Sequence, residues 1–230
     1  MLVDCGQGDV FLKNAAKLGI DMGGMENVLI THGHYDHGDG MRYLSGKNIL
    51  LHRDAWLPRF AKDGEREGGN VGLDKGNRGK NNFWQLEGNV VINEKVYLLV
   101  NIARENDFEA KYFPARFEDG ADDEVRDEVS VAVKTDRGLV VISGCAHSGI
   151  CNTIEYAKAV TGEEKVYAIV GGFHLRQVDD VAGRTLEYFK KNKIQRIVMG
   201  HCNIDDVIEL FKNELGGRVE VIAAGLCVDF

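Results

Sequence analysis

The segment His32-Gly-His-Tyr-Asp-His37 places three imidazoles and one carboxylate within six residues. Imidazole nitrogens and carboxylate oxygens suit zinc, iron or manganese, and a tight loop can aim all four donors into one pocket. A lone histidine is more often a satisfied core or surface residue than a ligand; four donors at this spacing read as a metal loop. Six of the seven histidines lie in this loop or directly after short apolar runs, at His147, His174 and His201. His147 sits in a Gly-Cys-Ala-His-Ser-Gly turn, His174 follows Gly171-Gly-Phe, and His201 follows Gly200. His52 also ends an apolar run but lacks a glycine turn, so a structural or supporting role is expected.

The cysteines are five, odd in number and without a C-x-x-C pair, so neither a disulfide framework nor a thiolate zinc knuckle is indicated. The absence of paired cysteines beside the histidine loop argues for an open metal site over a purely structural one. Cys145 and Cys202, next to candidate ligands, could bind or tune a metal, but read first as reduced buried thiols.

The elements that must carry these donors follow a strand, loop, helix rhythm. Leu2 to Asp4 reads as a short strand, with a helix over about Asp9 to Leu18 from the apolar spacing of Val10, Phe11, Ala15 and Leu18. Val28 to Ile30 and Ile49 to Leu51 are too short for helices and fit buried strands. Val90 to Val100 suggests a hairpin, and Glu118 to Glu128 an acidic turn region. Then the strand-to-helix transition recurs: Leu139 to Ser143 before His147 and a helix from about Asn152; Val166 to Val170 before His174 and a helix from about Asp180; Ile194 to Met199 before His201 and a helix from about Asp205. Ligands of α/β folds gather at such strand ends.

With 230 residues, 44% hydrophobic content and no repeat or linker, one domain spanning 1–230 is expected. Residues 61–82 break the rhythm with alternating glycines and charges and read as a lid or insertion, or as a solvated loop. If the lid closes, Lys75, Arg78 and Lys80 are the candidates to clamp a substrate phosphate. The net charge of −8 disfavours nucleic acid as a partner and leaves a small molecule as the expected substrate. No apolar run reaches the ~18 residues of a membrane span, and the start carries no basic and apolar leader, so a cytoplasmic location away from the membrane is expected.

Asp4-Cys-Gly-Gln-Gly, Thr31-His-Gly-His-Tyr-Asp-His-Gly38, Gly144-Cys-Ala-His-Ser-Gly149, Gly171-Gly-Phe-His-Leu175 and Gly200-His-Cys202 together resemble the metallo-β-lactamase superfamily. Within it they resemble the subgroup of 7,8-dihydropterin-6-yl-methyl-4-(β-D-ribofuranosyl)aminobenzene 5'-phosphate synthase-like proteins. The resemblance covers nearly the whole chain outside 61–82. It implies an α/β (α+β) fold, the four-layer αββα sandwich. Relatives carry an opening strand pair before the segment matching Leu2 to Asp4, so a sandwich lacking that pair is expected.

The resemblance further implies two divalent metal ions, zinc first, with iron or manganese as alternatives. His32, His34 and His147 resemble the ligands of one, and Asp36, His37 and His201 those of the second. Where much of the superfamily has a bridging Asp, this chain has Gly-Gly-Phe-His174: His174 either replaces that ligand or sits over the site and touches substrate. Asp36 is expected to orient the nucleophile as well as bind metal, and Tyr35 to pack. The chemistry implied is hydrolysis of an ester, phosphoester or lactone through a metal-bound hydroxide.

The alternative is a metal-dependent transferase joining a dihydropterin unit to a ribofuranosyl-aminobenzene phosphate in methanopterin-type synthesis, so the substrate is expected to be phosphorylated or pterin-like. A di-iron redox protein would want a flavin partner domain or a further carboxylate ligand, and the chain shows neither plainly. Metal content separates that reading, and activity on generic esters separates a metal-binding module without catalysis.

Overall fold

The computed structural model describes residues 1–62, 67–111 and 113–230. They divide into two compact units, Met1–Glu87 with Tyr112–Val129, and Gly88–Lys111 with Ser130–Phe230. Each unit has its own sheet and its own core.

In the first unit, strands β1 (Leu2–Val3), β2 (Asn27–Leu29), β3 (Ser45–His52) and β4 (Lys80–Leu86) form a parallel sheet in that order. Helix α1 (Val10–Lys17) turns Ala15 inward, with Phe11 and Leu12 packed against the core. That core joins Val28, Ile49 and Leu51 of the central strands, and Ile30 just after β2, to Met41, Trp56 and Leu73. Fully burying side chains of this size is worth ~1.5–3 kcal/mol each. The sheet's strand ends lead directly into the functional loops. The chain leaves β2 into the histidine loop and enters the one-turn helix α2 (Tyr35–Gly38), which carries Asp36 and His37.

The second unit holds a seven-stranded sheet. Its strands are β5 (Val90–Val91), β6 (Val96–Val100), β7 (Val129–Thr135), β8 (Gly138–Ser143), β9 (Val166–Gly171), β10 (Arg196–Met199) and β11 (Val219–Val221), in the spatial order β11-β10-β9-β8-β7-β6-β5. β8 to β11 run parallel, linked by helices α3 (Ile150–Thr161), α4 (Asp180–Lys191) and α5 (Asp205–Leu215). The apolar faces of these helices, through Ile154, Leu186, Phe189, Val207 and Phe211, build the core with Leu139, Val141, Ile169 and Ile197. Because β8, β9 and β10 are parallel neighbours, the loops bearing His147, His174 and His201 leave the same end of one sheet.

Of the segment 61–82, residues 63–66 lie outside the described residues. Lys75–Arg78 forms a 3-10 turn, and Lys80 to Asn82 open the edge strand β4. The Arg78 guanidinium lies 4.5 Å over the Trp56 ring and 5.7 Å over Phe83, while Lys75 and Lys80 are exposed. Among the described residues no helix is long and apolar enough to cross a membrane.

Candidate functional site

Asp4, at the end of β1, organises the histidine loop. Its backbone is left-handed, with φ 58°, a conformation that costs a non-glycine residue about 1–3 kcal/mol. Three hydrogen bonds offset that cost. The carboxylate accepts from the Thr31 backbone N–H at 2.8 Å, from the Thr31 hydroxyl at 2.8 Å and from His37 Nδ1 at 2.7 Å.

These bonds fix tautomers. A carboxylate only accepts, so neutral His37 carries its proton on Nδ1, and Nε2 is the unprotonated nitrogen of its ring. Thr31 has one hydroxyl proton and gives it to Asp4; at its 3.1 Å contact with His32 Nδ1 the hydroxyl therefore accepts. Neutral His32 is likewise protonated at Nδ1, so Nε2 is the unprotonated nitrogen of its ring. That Nε2 lies 2.9 Å from Nδ1 of His34. Two nitrogens bound to zinc at ~2.05 Å sit roughly 2.9–3.4 Å apart for angles between 90° and tetrahedral, so the pair fits two ligands of one cation. The carboxylate–histidine relay is the arrangement that orients metal-binding imidazoles. Asp36, half-buried on α2, brings a carboxylate oxygen to 3.6 Å from His37 Nε2.

Beneath the loop lies a buried charge network that sequence reading missed. Arg59, Asp123 and Asp127 are each no more than 1% exposed. Arg59 reaches Asp123 at 3.3 Å and Asp127 at 2.8 Å, and Asp127 accepts the Gly33 N–H at 2.7 Å. Asp123 lies 3.9 Å from His34 Nε2, the nitrogen on the side of the ring away from His32. Both acids come from the stretch read as an acidic turn region. His52 is buried, and its Nδ1 accepts the Asp54 N–H at 3.1 Å, a structural cap as expected.

In the second unit, His147 is buried and its ring centroid lies 4.5 Å from that of His174. The turn before it is held by the Ala146 N–H donating to Ser143 Oγ at 2.9 Å. Helix α3, which follows, lacks a cap of its own; Glu109 supplies one from a distant loop, accepting the Cys151 and Asn152 N–H groups at 2.9 and 3.0 Å. Asn203 ties two loops together: its Oδ1 accepts from Phe173 N and Leu175 N, each at 3.2 Å, and its amide donates to Gly200 O at 3.0 Å. His174 and His201 have left-handed backbones, φ 53° and 58°. His201 is exposed.

Two thiols differ in character. Burial, then the Asp4 charge, pushes Cys5 up to about 12, an inert thiol. Cys202 is held well below the ordinary cysteine range, first by its hydrogen bond with the Cys145 side chain and then by His174 and His201, against the opposing effect of burial.

If Asp4 sets the tautomers, Asp4→Asn should weaken zinc binding about 10–100-fold, the usual effect of removing a ligand's orienting partner. An amide N–H facing His37 Nδ1 would force that nitrogen to accept and move its proton to Nε2. Competition against a chromophoric chelator measures the change; an unaltered affinity contradicts the relay.

No family model matches the chain. It is 31% identical over 215 residues to an uncharacterised protein of Methanocaldococcus jannaschii, covering 88% of this chain and 78% of that one. It is 27% identical over 239 residues, 95% of this chain and 80% of the relative, to the 7,8-dihydropterin-6-methyl-4-(β-D-ribofuranosyl)-aminobenzene-5'-phosphate synthase of the same organism. Among solved structures, a metal-dependent hydrolase of the β-lactamase superfamily matches with a TM-score of 0.86 at 33% identity, over 99% of this chain and 88% of that one. The chain belongs to the metallo-β-lactamase superfamily and has its fold. The synthase is a relative of the kind that the sequence motifs resemble.

Proposed function

We propose that this chain is a dinuclear metal-dependent hydrolase that cleaves an ester, phosphoester or lactone bond in a small molecule. The observation that carries the reading is the Thr31–Asp4 relay, which leaves His32 and His37 as lone-pair donors and sets His32 Nε2 2.9 Å from His34 Nδ1. The match to a metal-dependent hydrolase over 99% of the chain supports it. His32, His34 and His147 would hold one cation, and Asp36, His37 and His201 the other; zinc is favoured, with iron or manganese also suited to these donors. His174 either is a further ligand or sits over the site and touches substrate. Bound there, divalent cations would polarise the electrophile and make water acidic enough to attack at neutral pH.

The chain's own groups do the rest. Asp36, half-buried beside His37, orients the attacking water as well as binding metal. Asp4 keeps a proton on His37 Nδ1 and Thr31 keeps one on His32 Nδ1, so neither imidazole can turn its N–H toward the metal. Lys75, Arg78 and Lys80 hold the anionic end of a phosphorylated or pterin-like substrate; stacking on Trp56 limits the freedom of Arg78.

The synthase reading is favoured by the 27% identity over 95% of this chain. The two readings part on one experiment with zinc-, manganese- and iron-loaded protein. A hydrolase turns over single p-nitrophenyl esters, phosphoesters or lactones, with loss of activity on chelation. A protein that leaves every one of them intact, and turns over only when a dihydropterin and a ribofuranosyl-aminobenzene phosphate are supplied together, is the synthase and overturns the hydrolase reading.

A further inference from the structure

We propose that Cys145, His174 and Cys202 form a thiolate–imidazole metal site at the ends of β8, β9 and β10, taking zinc or another thiophilic divalent cation. The donors come from three neighbouring strand ends of one sheet within the second unit. One ligand atom from each, the two Sγ atoms and a ring nitrogen of His174, lie within 4.8 Å of one another. Two sulfurs on a tetrahedral zinc with Zn–S ~2.3 Å are about 3.8 Å apart, so the trio has to draw in by about 1 Å at most.

Three independent features point to a cation here. Both ring nitrogens of His174 are buried, and neither has a hydrogen-bond partner among the described residues. A neutral imidazole with a buried donor and a buried acceptor left unmatched costs free energy, and a cation on one nitrogen removes part of that cost. Next, the Cys202 sulfur accepts the backbone N–H of His174 at 3.2 Å, the kind of bond that supports a metal-bound thiolate. Finally, the backbone makes room for that sulfur: a Cβ on Gly172 would lie 2.6 Å from Cys202 Sγ and 2.7 Å from Gly144 O.

Left-handed φ angles at Ala146 (50°), His174 (53°) and His201 (58°) show that the three loops are bent against their local preferences around this point. Two sulfurs and one nitrogen select softer ions than the histidine–aspartate sets do, and three protein ligands leave a fourth position exchangeable. The proposal shares only His174 with the hydrolase reading; Cys145 and Cys202 belong to neither histidine–aspartate set.

Cobalt(II) substitution separates the two. Metal-stripped, reduced protein titrated with cobalt should show an intense near-ultraviolet sulfur-to-cobalt charge-transfer band. The band should be lost in Cys145→Ser and in Cys202→Ser and retained in His32→Ala. The measurement on the parent chain needs no variant to fold, and circular dichroism checks the variants. Cobalt bound with ligand-field bands alone overturns the thiolate site and leaves the histidine–aspartate sets standing. A band that persists in the Cys145→Ser/Cys202→Ser double variant also overturns it. One cobalt per chain, with a band sensitive to both cysteines and indifferent to His32→Ala and Asp36→Ala, upholds this site and counts against the dinuclear reading.

Discussion

His32→Ala is expected to weaken zinc binding at the histidine loop by roughly two to three powers of ten. A zinc site with an apparent binding free energy on the order of 10 kcal/mol and three protein ligands loses about a third of it with one of them. That is ~3–4 kcal/mol, and each 1.4 kcal/mol is tenfold. The loss should be confined to binding, because the Thr31 hydroxyl keeps its 2.8 Å bond to Asp4 and Asp4 keeps His37. Chelator competition on the parent and the variant measures the effect. Equal affinities would mean that the unprotonated Nε2 of His32 faces no cation. Turnover, if hydrolytic, should fall at least in proportion at limiting metal.

The second large effect is steric. Gly33 separates the first two histidines of the loop, and its N–H donates to the buried Asp127 at 2.7 Å. A Cβ there would lie 2.2 Å from Ala55 O and 2.8 Å from Ala55 C, both backbone atoms that cannot rotate aside. Gly33→Ala must therefore shift the histidine loop off the 53–56 turn. Overpacking costs ~1–3 kcal/mol and more where backbone must move, so a loss of about 3 kcal/mol or more is expected in urea unfolding. Because the shift moves His32 and His34 together, zinc affinity should fall with stability. A variant that unfolds at the parent's urea midpoint and binds zinc equally well would contradict the close approach.

The histidine loop was legible as a candidate site because its donors are local: three imidazoles and a carboxylate fall within six residues. The same holds for β8, β9 and β10, whose buried apolar runs end in glycine turns. What supports the candidate ligands was not legible, since it is assembled from distant parts of the chain. Asp123 and Asp127 lie in a stretch that reads only as an acidic turn region, yet both are buried, paired with Arg59, and Asp127 also accepts the Gly33 N–H. Glu109 caps a helix more than forty residues further on, at Cys151 and Asn152.

Strand β4 escaped for another reason. Lys80-Asn-Asn-Phe-Trp-Gln-Leu86 is an edge strand with exposed and half-buried residues along most of its length, so it lacks the apolar run that marked β2 and β3. Asp4 was noticed only as part of a motif; its work as an acceptor for Thr31 and His37 depends on β1 and β2 being neighbours.

The central claim is that the histidine and aspartate donors hold a pair of cations. Elemental analysis after dialysis against zinc, on the parent and on Cys145→Ser/Cys202→Ser, tests it most directly. The account predicts about two zinc ions per chain that survive loss of both thiols, as in dinuclear hydrolytic sites, and their decline in His34→Ala. A double variant that retains no zinc, and takes up neither iron nor manganese when these are supplied, would contradict it.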